Sequence, residues 1–131
     1  MSSYVLDASV GVTALTEPGS PAADLLSEDD ATFQVPSIFD AEVLSALRGL
    51  VFGQKFSAVS AAELIVDLMV LPVDRWHMSA LLPRMWELRS NLTPYDAAYV
   101  ALAELTGTVL VTGDERVSAA PGVRCEIQII K

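Results

Sequence analysis

Short apolar runs that stop at an acidic residue alternate along this chain with longer stretches of helical periodicity. Tyr4-Val5-Leu6 is β-prone and ends at Asp7, which predicts a first buried strand. Ser9 is placed to cap a short helix over 10–15 that Pro18 and Gly19 end, and Ser20-Pro21 restarts helix through Leu26. After a turn at Asp29-Asp30, Pro36-Ser37 predicts another helix, with Ser37 as its cap and Asp40 three residues on. That helix is expected to run to about Arg48, before Gly49 and Gly53 punctuate the chain. Val59, Ala62, Leu64, Ile65 and Leu68 predict helix over 57–69, residues 71–73 read as a short edge strand, and helix over 78–88 is weakened by Pro83.

The strongest local signal is Thr93-Pro94-Tyr95-Asp96: a cap, a proline at the first helical position, and an acid in the capping-box position. The helix that follows is rich in small residues and stops at Gly107. Thr108 to Thr112 is a second strongly β-prone run, ending in Gly113-Asp114; one helical turn over 115–119 and a last strand over 124–130 complete the chain. Strand, helices, strand, helix, strand, without repeats or a linker, predicts one α/β domain over residues 1–131. Its sheet is expected to be parallel and covered by helices on both faces. The surplus of helix before residue 90 predicts a clip or a partner surface.

Composition narrows the function. With 131 residues, 52% of them hydrophobic, the chain can bury a continuous core and is no disordered tail. Seventeen acidic residues against eight basic ones, a net charge of −9, exclude a protein that coats nucleic acid nonspecifically. They leave room for an enzyme that meets phosphates through bound cations. Cys125 is the only cysteine and His77 the only histidine, which excludes an internal disulfide and a Cys/His zinc site. Both are read as structural, Cys125 packing within a β-prone segment. Neither a Walker pattern nor a dinucleotide glycine fingerprint is present. No basic segment followed by an apolar run opens the chain, and no stretch reaches membrane-span length, so a soluble cytoplasmic protein is expected.

In open parallel sheets, sites lie beyond the carboxyl ends of the strands. Asp7 and Asp114 sit there, and Asp96 sits in a first helical turn, where the positive dipole end favours a carboxylate. Glu42 falls in the second turn of the helix opened by Ser37. Taken singly, these are also a strand terminator, a turn residue, a capping acid and a solvated helix acid. Brought together they would repel one another without cations, and hard oxygen ligands suit Mg²⁺ or Mn²⁺. The chemistry such a site supports is metal-assisted phosphoester hydrolysis. A haloacid-dehalogenase-like site needs a second aspartate where this chain has Ser9, and a phospho-receiver needs an acidic pair on an earlier strand.

Four segments, in this order and spacing, carry a resemblance. They are Val5-Leu6-Asp7-Ala8-Ser9-Val10, Glu42-Val43 with Ala46-Leu47-Arg48, the stretch from Leu92 through Thr93-Pro94-Tyr95-Asp96 to Ala103, and Val111-Thr112-Gly113-Asp114. With them the chain resembles, almost from end to end, PIN-domain proteins of the VapC type, toxins of bacterial or archaeal toxin–antitoxin pairs. The resemblance implies a three-layer PIN-like fold with a mainly parallel central sheet, and Mg²⁺- or Mn²⁺-dependent endoribonuclease activity. By position, Asp7, Glu42, Asp96 and Asp114 match the family's metal-binding and catalytic acids, and Ser9 and Thr112 its supporting hydroxyls. Ser45 departs from the asparagine that many relatives carry one turn after the glutamate, which puts local geometry in doubt more than activity. The implied partners are RNA, a VapB-type antitoxin whose tail covers the active-site groove, and a second copy in a homodimer.

Arg48, Lys55 and Arg116 are the candidates for phosphate contact, with ordinary surface roles as the alternative. Tyr95 and Tyr99 fall near the acids, where base stacking is one use; Tyr99 is assigned to helix packing. Apolar positions around Phe52, Phe56, Leu64 and Leu68 offer a groove, a dimer contact or a finish to the core. The alternative function is a catalytically silent PIN-like interaction module, against which the presence of all four acids argues.

Overall fold

The computed structural model describes residues 1–131. Five parallel strands form one sheet: β1 (Ser2–Leu6), β2 (Ala31–Pro36), β3 (Asp74–Trp76), β4 (Val109–Thr112) and β5 (Ile127–Ile129), in the spatial order β3-β2-β1-β4-β5. The helices are α1 (Ala8–Thr16), α2 (Pro21–Leu26), α3 (Phe39–Phe52), α4 (Ala58–Met69), α5 (Leu82–Glu87, preceded by a 3₁₀ turn at Ser79–Leu81), α6 (Pro94–Thr106) and α7 (Glu115–Ala119). From β1 the chain steps outward to β2 and β3, then crosses back to β4 and β5 on the other side of β1. Because parallel crossovers are right-handed, this reversal puts α1–α4 on one face and α5–α7 on the other. The packing agrees, since α1 touches α2, α3 and α4, whereas α6 touches α5 and lies on β1, β2 and β4. No helix is long and apolar enough to cross a membrane.

The expected α/β architecture is present, with differences that have physical causes. No strand is predicted over 31–36, yet β2 lies inside the sheet, paired on both sides. Thr32 and Gln34 interrupt the apolar run that a doubly covered strand usually shows. Gln34 is tolerated because its Oε1 accepts from Ser3 Oγ at 3.0 Å. Ser37 is not a helix cap: its N–H still donates to Trp76 O at 2.9 Å in the ladder, and α3 starts after Ile38 with no side-chain cap. The helix then runs past Gly49 to Phe52. The edge strand lies at Asp74–Trp76 rather than 71–73, since Leu71 and Val73 are drawn against the core. Ser9 caps nothing either; Asp7 holds the N-cap position of α1, and the last strand shortens to Ile127–Ile129.

Local signals of α6 are all used. Thr93 accepts from the Asp96 N–H, Pro94 occupies the first turn, and Gly107 closes the helix at φ 67°. Seven consecutive residues, Ala97 to Ala103, are buried, which the many alanines allow by letting the sheet approach closely. Arg84 anchors the far end of α6, donating to Glu104 Oε1 at 2.6 Å and to Gly122 O at 2.6 Å. Burial pushes the Glu104 carboxyl up, but Arg84 and the Arg124 N–H outweigh it and hold it below its usual value. A lowered carboxyl stabilises the fold above the ordinary glutamate pKa, and that contribution is lost as pH falls through the folded-state value. Glu104→Gln should therefore cost about 1–3 kcal/mol at neutral pH. Urea midpoints measured between about pH 6 and pH 3 should converge for the variant and its parent; a gap that does not narrow on acidification would rule the linkage out. Cys125 packs partly buried against the core, its thiol pushed up to about 11 by that burial and by Glu104.

Candidate metal centre

The strand order reverses between β1 and β4, and there Asp7 and Asp114 emerge side by side at the carboxyl ends. Asp7 remains tied to the ladder through its N–H, which donates to Val111 O at 2.9 Å. Its Oδ2 accepts from Ser9 Oγ at 2.8 Å and from Thr112 Oγ1 at 2.7 Å. Each hydroxyl in turn accepts from the backbone of the following loop, Ser9 from Gly113 N–H and Thr112 from Asp114 N–H, both at 3.1 Å. Ser9 and Thr112, the latter 1% exposed, therefore fix one oxygen of Asp7. A side chain at Gly113 would press on Ile130 O at 3.2 Å, so this loop approaches closely because it carries none.

Glu42 reaches the same place from α3, and Asp96 from the first turn of α6. One turn beyond Asp96, Tyr99 is 2% exposed and donates its hydroxyl to Glu42 Oε1 at 2.5 Å. The Ala8 backbone N–H, beside Asp7 and among the unpaired donors of a helix start, acts on the same phenol oxygen. Burial, then the Glu42 hydrogen bond and charge, push the phenol far up, so it stays protonated and a donor. Burial is also the main force raising the Glu42 carboxyl; Asp7 and Asp96 add to it and Tyr99 opposes it. For Asp96, burial comes first and the charges of Asp7 and Asp114 follow, with Thr93 and Arg116 opposing. These acids repel one another, which places them within electrostatic reach.

Asp114 is differently occupied. Its Oδ1 accepts from the Arg116 N–H at 2.9 Å and from Nε at 3.0 Å, and its Oδ2 from Nη2 at 2.8 Å. That guanidinium holds the carboxyl below its usual value. No three of the acids lie close enough to grip one ion as arranged. The donor set still fits a hard cation, because Mg²⁺ keeps several waters and takes only one or two carboxylates together with substrate phosphates. Opposite charge would also relieve the repulsion that raises Glu42 and Asp96.

A family model described as PIN domain matches residues 4–123. Ribonuclease VapC1 of Mycobacterium tuberculosis is 39% identical over 135 aligned positions that cover 100% of both chains. The chain belongs to the PIN-domain family. VapC ribonuclease Mb0985 of Mycobacterium bovis is 36% identical over 126 positions, covering 96% of this chain and 97% of that one. Among solved structures, VapBC2 from Rickettsia felis bound to a promoter DNA fragment matches with a TM-score of 0.72 at 19% identity, over 98% of this chain and 99% of that one. VapC20 of M. tuberculosis, described as a sarcin-ricin loop cleaving toxin, matches with a TM-score of 0.65 at 17% identity, over 92% and 96%. At such identities the structural matches speak for the PIN fold alone.

Within this PIN domain the three basic candidates separate. Only Arg116, 90% exposed at its side chain, stands against the acids. Arg48 lies over the Phe52 ring at 4.4 Å, about 9 Å along α3 from Glu42 by helix rise. Lys55 lies beyond the end of α3, folded back so that its N–H donates to Leu50 O at 2.8 Å, at the opposite end of the helix from Glu42. Lys131 is the cation that sequence reasoning passed over; it pairs with Glu115 at 3.0 Å and lines the same hollow as Arg116. Its signal was its place just after a strand that runs toward the same sheet edge. Tyr99 packs in the helix layer as expected, and its hydroxyl also holds Glu42. His77 stands apart beyond β3, where its Nδ1 accepts from the Ser79 N–H. Leu64 and Leu68 complete the core side of α4, whereas Phe52 is exposed.

Proposed function

We propose that this PIN-domain protein is a metal-dependent endoribonuclease and the toxin of a type II toxin–antitoxin pair, acting in the cytoplasm as a single unit over residues 1–131. The observation that carries the reading is the Asp7 carboxylate, fixed by Ser9 and Thr112 at the switch point of the sheet and facing Glu42 and Asp96. Relatives named as VapC ribonucleases over their full length support the substrate class.

Mg²⁺, or Mn²⁺ in its place, would supply Lewis-acid polarisation of the phosphate and activation of a water. Asp7 and Asp96 are the residues that would hold it, with Glu42 joining directly or through water, and Asp114 likewise once Arg116 lets go. Ser9 and Thr112 keep the Asp7 oxygen aimed from the rigid strand ends. Tyr99 leaves Glu42 one oxygen for ligation or for orienting a water while occupying the other. Arg116, freed from Asp114, is placed to meet an RNA phosphate. A VapB-type antitoxin and a second copy of the chain are the proposed protein partners. Exposed Leu44, Phe52, Ile65 and Met69 on α3 and α4 support such an apolar surface.

The direct test incubates the purified protein with a mixed cellular RNA pool and Mg²⁺, Mn²⁺ or chelator, beside Asp7→Asn, and maps new 5′ ends. Metal-dependent ends that the variant fails to make are expected. Identical end maps under every condition would overturn the nuclease and leave a binding module. Tyr99→Phe keeps the ring and removes the hydroxyl. Since partners behind metal ligands are worth about 10–100-fold, the Mn²⁺ concentration for half-maximal cleavage should rise by about that factor, while the loss of one buried hydrogen bond, about 1–3 kcal/mol, lowers the melting temperature without unfolding the protein at the assay temperature. An unchanged metal dependence would reduce Tyr99 to packing.

A further inference from the structure

Beside the acids lies an open hollow of about 340 Å³ lined by Ile38, Ala41, Glu42, Ser45 and Tyr95. On its other flank the acid cluster borders a second hollow, where Asp114, Arg116 and Lys131 stand. A strand crossing the acids thus meets cations on one side and an aromatic ring on the other. Tyr95 is 57% exposed on the first turn of α6, next to Asp96, so its ring is not consumed by the core. Ile38 and Ala41 supply apolar contact, and the exposed Ser45 a hydroxyl.

The chemistry of this lining selects its occupant. A flat aromatic face, two aliphatic side chains and one hydroxyl suit a planar heterocycle with a polar edge. The Glu42 carboxylate in the wall repels phosphate, so the nucleic-acid backbone is directed to the Arg116 side. We propose that the hollow receives one unpaired nucleobase flanking the scissile phosphate, stacked on Tyr95, and that it sets a base preference at that nucleotide. This rests on the ribonuclease reading above and gives that site a specificity-determining subsite.

The test pairs enzyme and substrate changes. Wild type, Tyr95→Ala and Tyr95→Trp are assayed on a short single-stranded RNA containing a mapped cleavage site, and on versions carrying an abasic residue at each flanking position. Stacking on one aromatic is worth roughly 5- to 150-fold. Tyr95→Ala should raise KM by a factor in that range, and Tyr95→Trp should retain most of the affinity. One abasic position should cost wild type the same factor and cost Tyr95→Ala almost nothing. Abasic losses that are equal in the two enzymes at every position would overturn the proposal. Because Tyr95 is exposed, melting curves of the variants should match the parent's, and a lowered melting temperature would assign the effect to folding instead.

If wild type cleaves no RNA with any metal, the ribonuclease reading fails by itself. The subsite is then read in chelator, from quenching of 2-aminopurine placed along a single-stranded RNA. Quenching at a bound position that Tyr95→Ala abolishes supports the pocket, and equal quenching in both overturns it.

Discussion

Asp7→Asn is expected to reduce metal-dependent RNA cleavage by a factor on the order of 10²–10⁴ without lowering the melting temperature. The substitution keeps the shape of the side chain, and its carbonyl oxygen can still accept from Ser9 and Thr112. What disappears is the negative charge at the sheet switch point. That charge helps to raise the Glu42 and Asp96 carboxyls, so its removal relieves repulsion in the folded state. Activity and stability should consequently move in opposite directions or independently. Initial cleavage rates with Mg²⁺ and Mn²⁺, read beside thermal melts, make the comparison. A variant that loses activity only in proportion to a loss of folded protein would show Asp7 to be structural, and full activity would remove it from the centre.

Phe39→Ala is expected to destabilise the protein by about 3–5 kcal/mol, a large share of the roughly 5–15 kcal/mol typical of a domain. Phe39 is 0% exposed at the first position of α3, and its ring fills the space over Gly11 of α1. A Cβ at Gly11 would stand 2.6 Å from the Phe39 Cζ, so the two helices approach as closely as this pair permits. α1 begins immediately after Asp7, and Glu42 lies three residues beyond Phe39. The same contact therefore sets the spacing of two of the acids. Urea denaturation measures the loss; a cost under about 1 kcal/mol would mean that the helices collapse into the vacated space. In that case metal affinity should fall, because the acids would have moved.

The acids differ in how legible they are. Asp7 and Asp114 follow β-prone runs, and Asp96 sits in a helix start with a proline, so local pattern points to each. Glu42 stands among seventeen acidic residues with nothing local to distinguish it, and only the family resemblance singles it out. What distinguishes it in space is Tyr99, 57 residues further along the chain, whose hydroxyl is aimed at it. Arg116 is set apart from Arg48 and Lys55 only by the fold, which leaves those two along and beyond the far half of α3.

The sequence by itself determined those elements whose decisive interactions span only a few residues. The Thr93 cap, Pro94 and the left-handed Gly107 delimit α6 through contacts made within a turn, and the parallel α/β alternation follows from the apolar runs between such signals. Tertiary structure alone decided β2, whose Ala31 pairs with Ser2 and whose Gln34 is satisfied by Ser3 across the ladder. It decided likewise that Thr112 aims Asp7 from 105 residues away and that Tyr99 holds Glu42 from 57 residues away. A strand draws its stability from partners remote along the chain, and a carboxylate takes its role from the charges and donors that face it, so neither is written in local pattern.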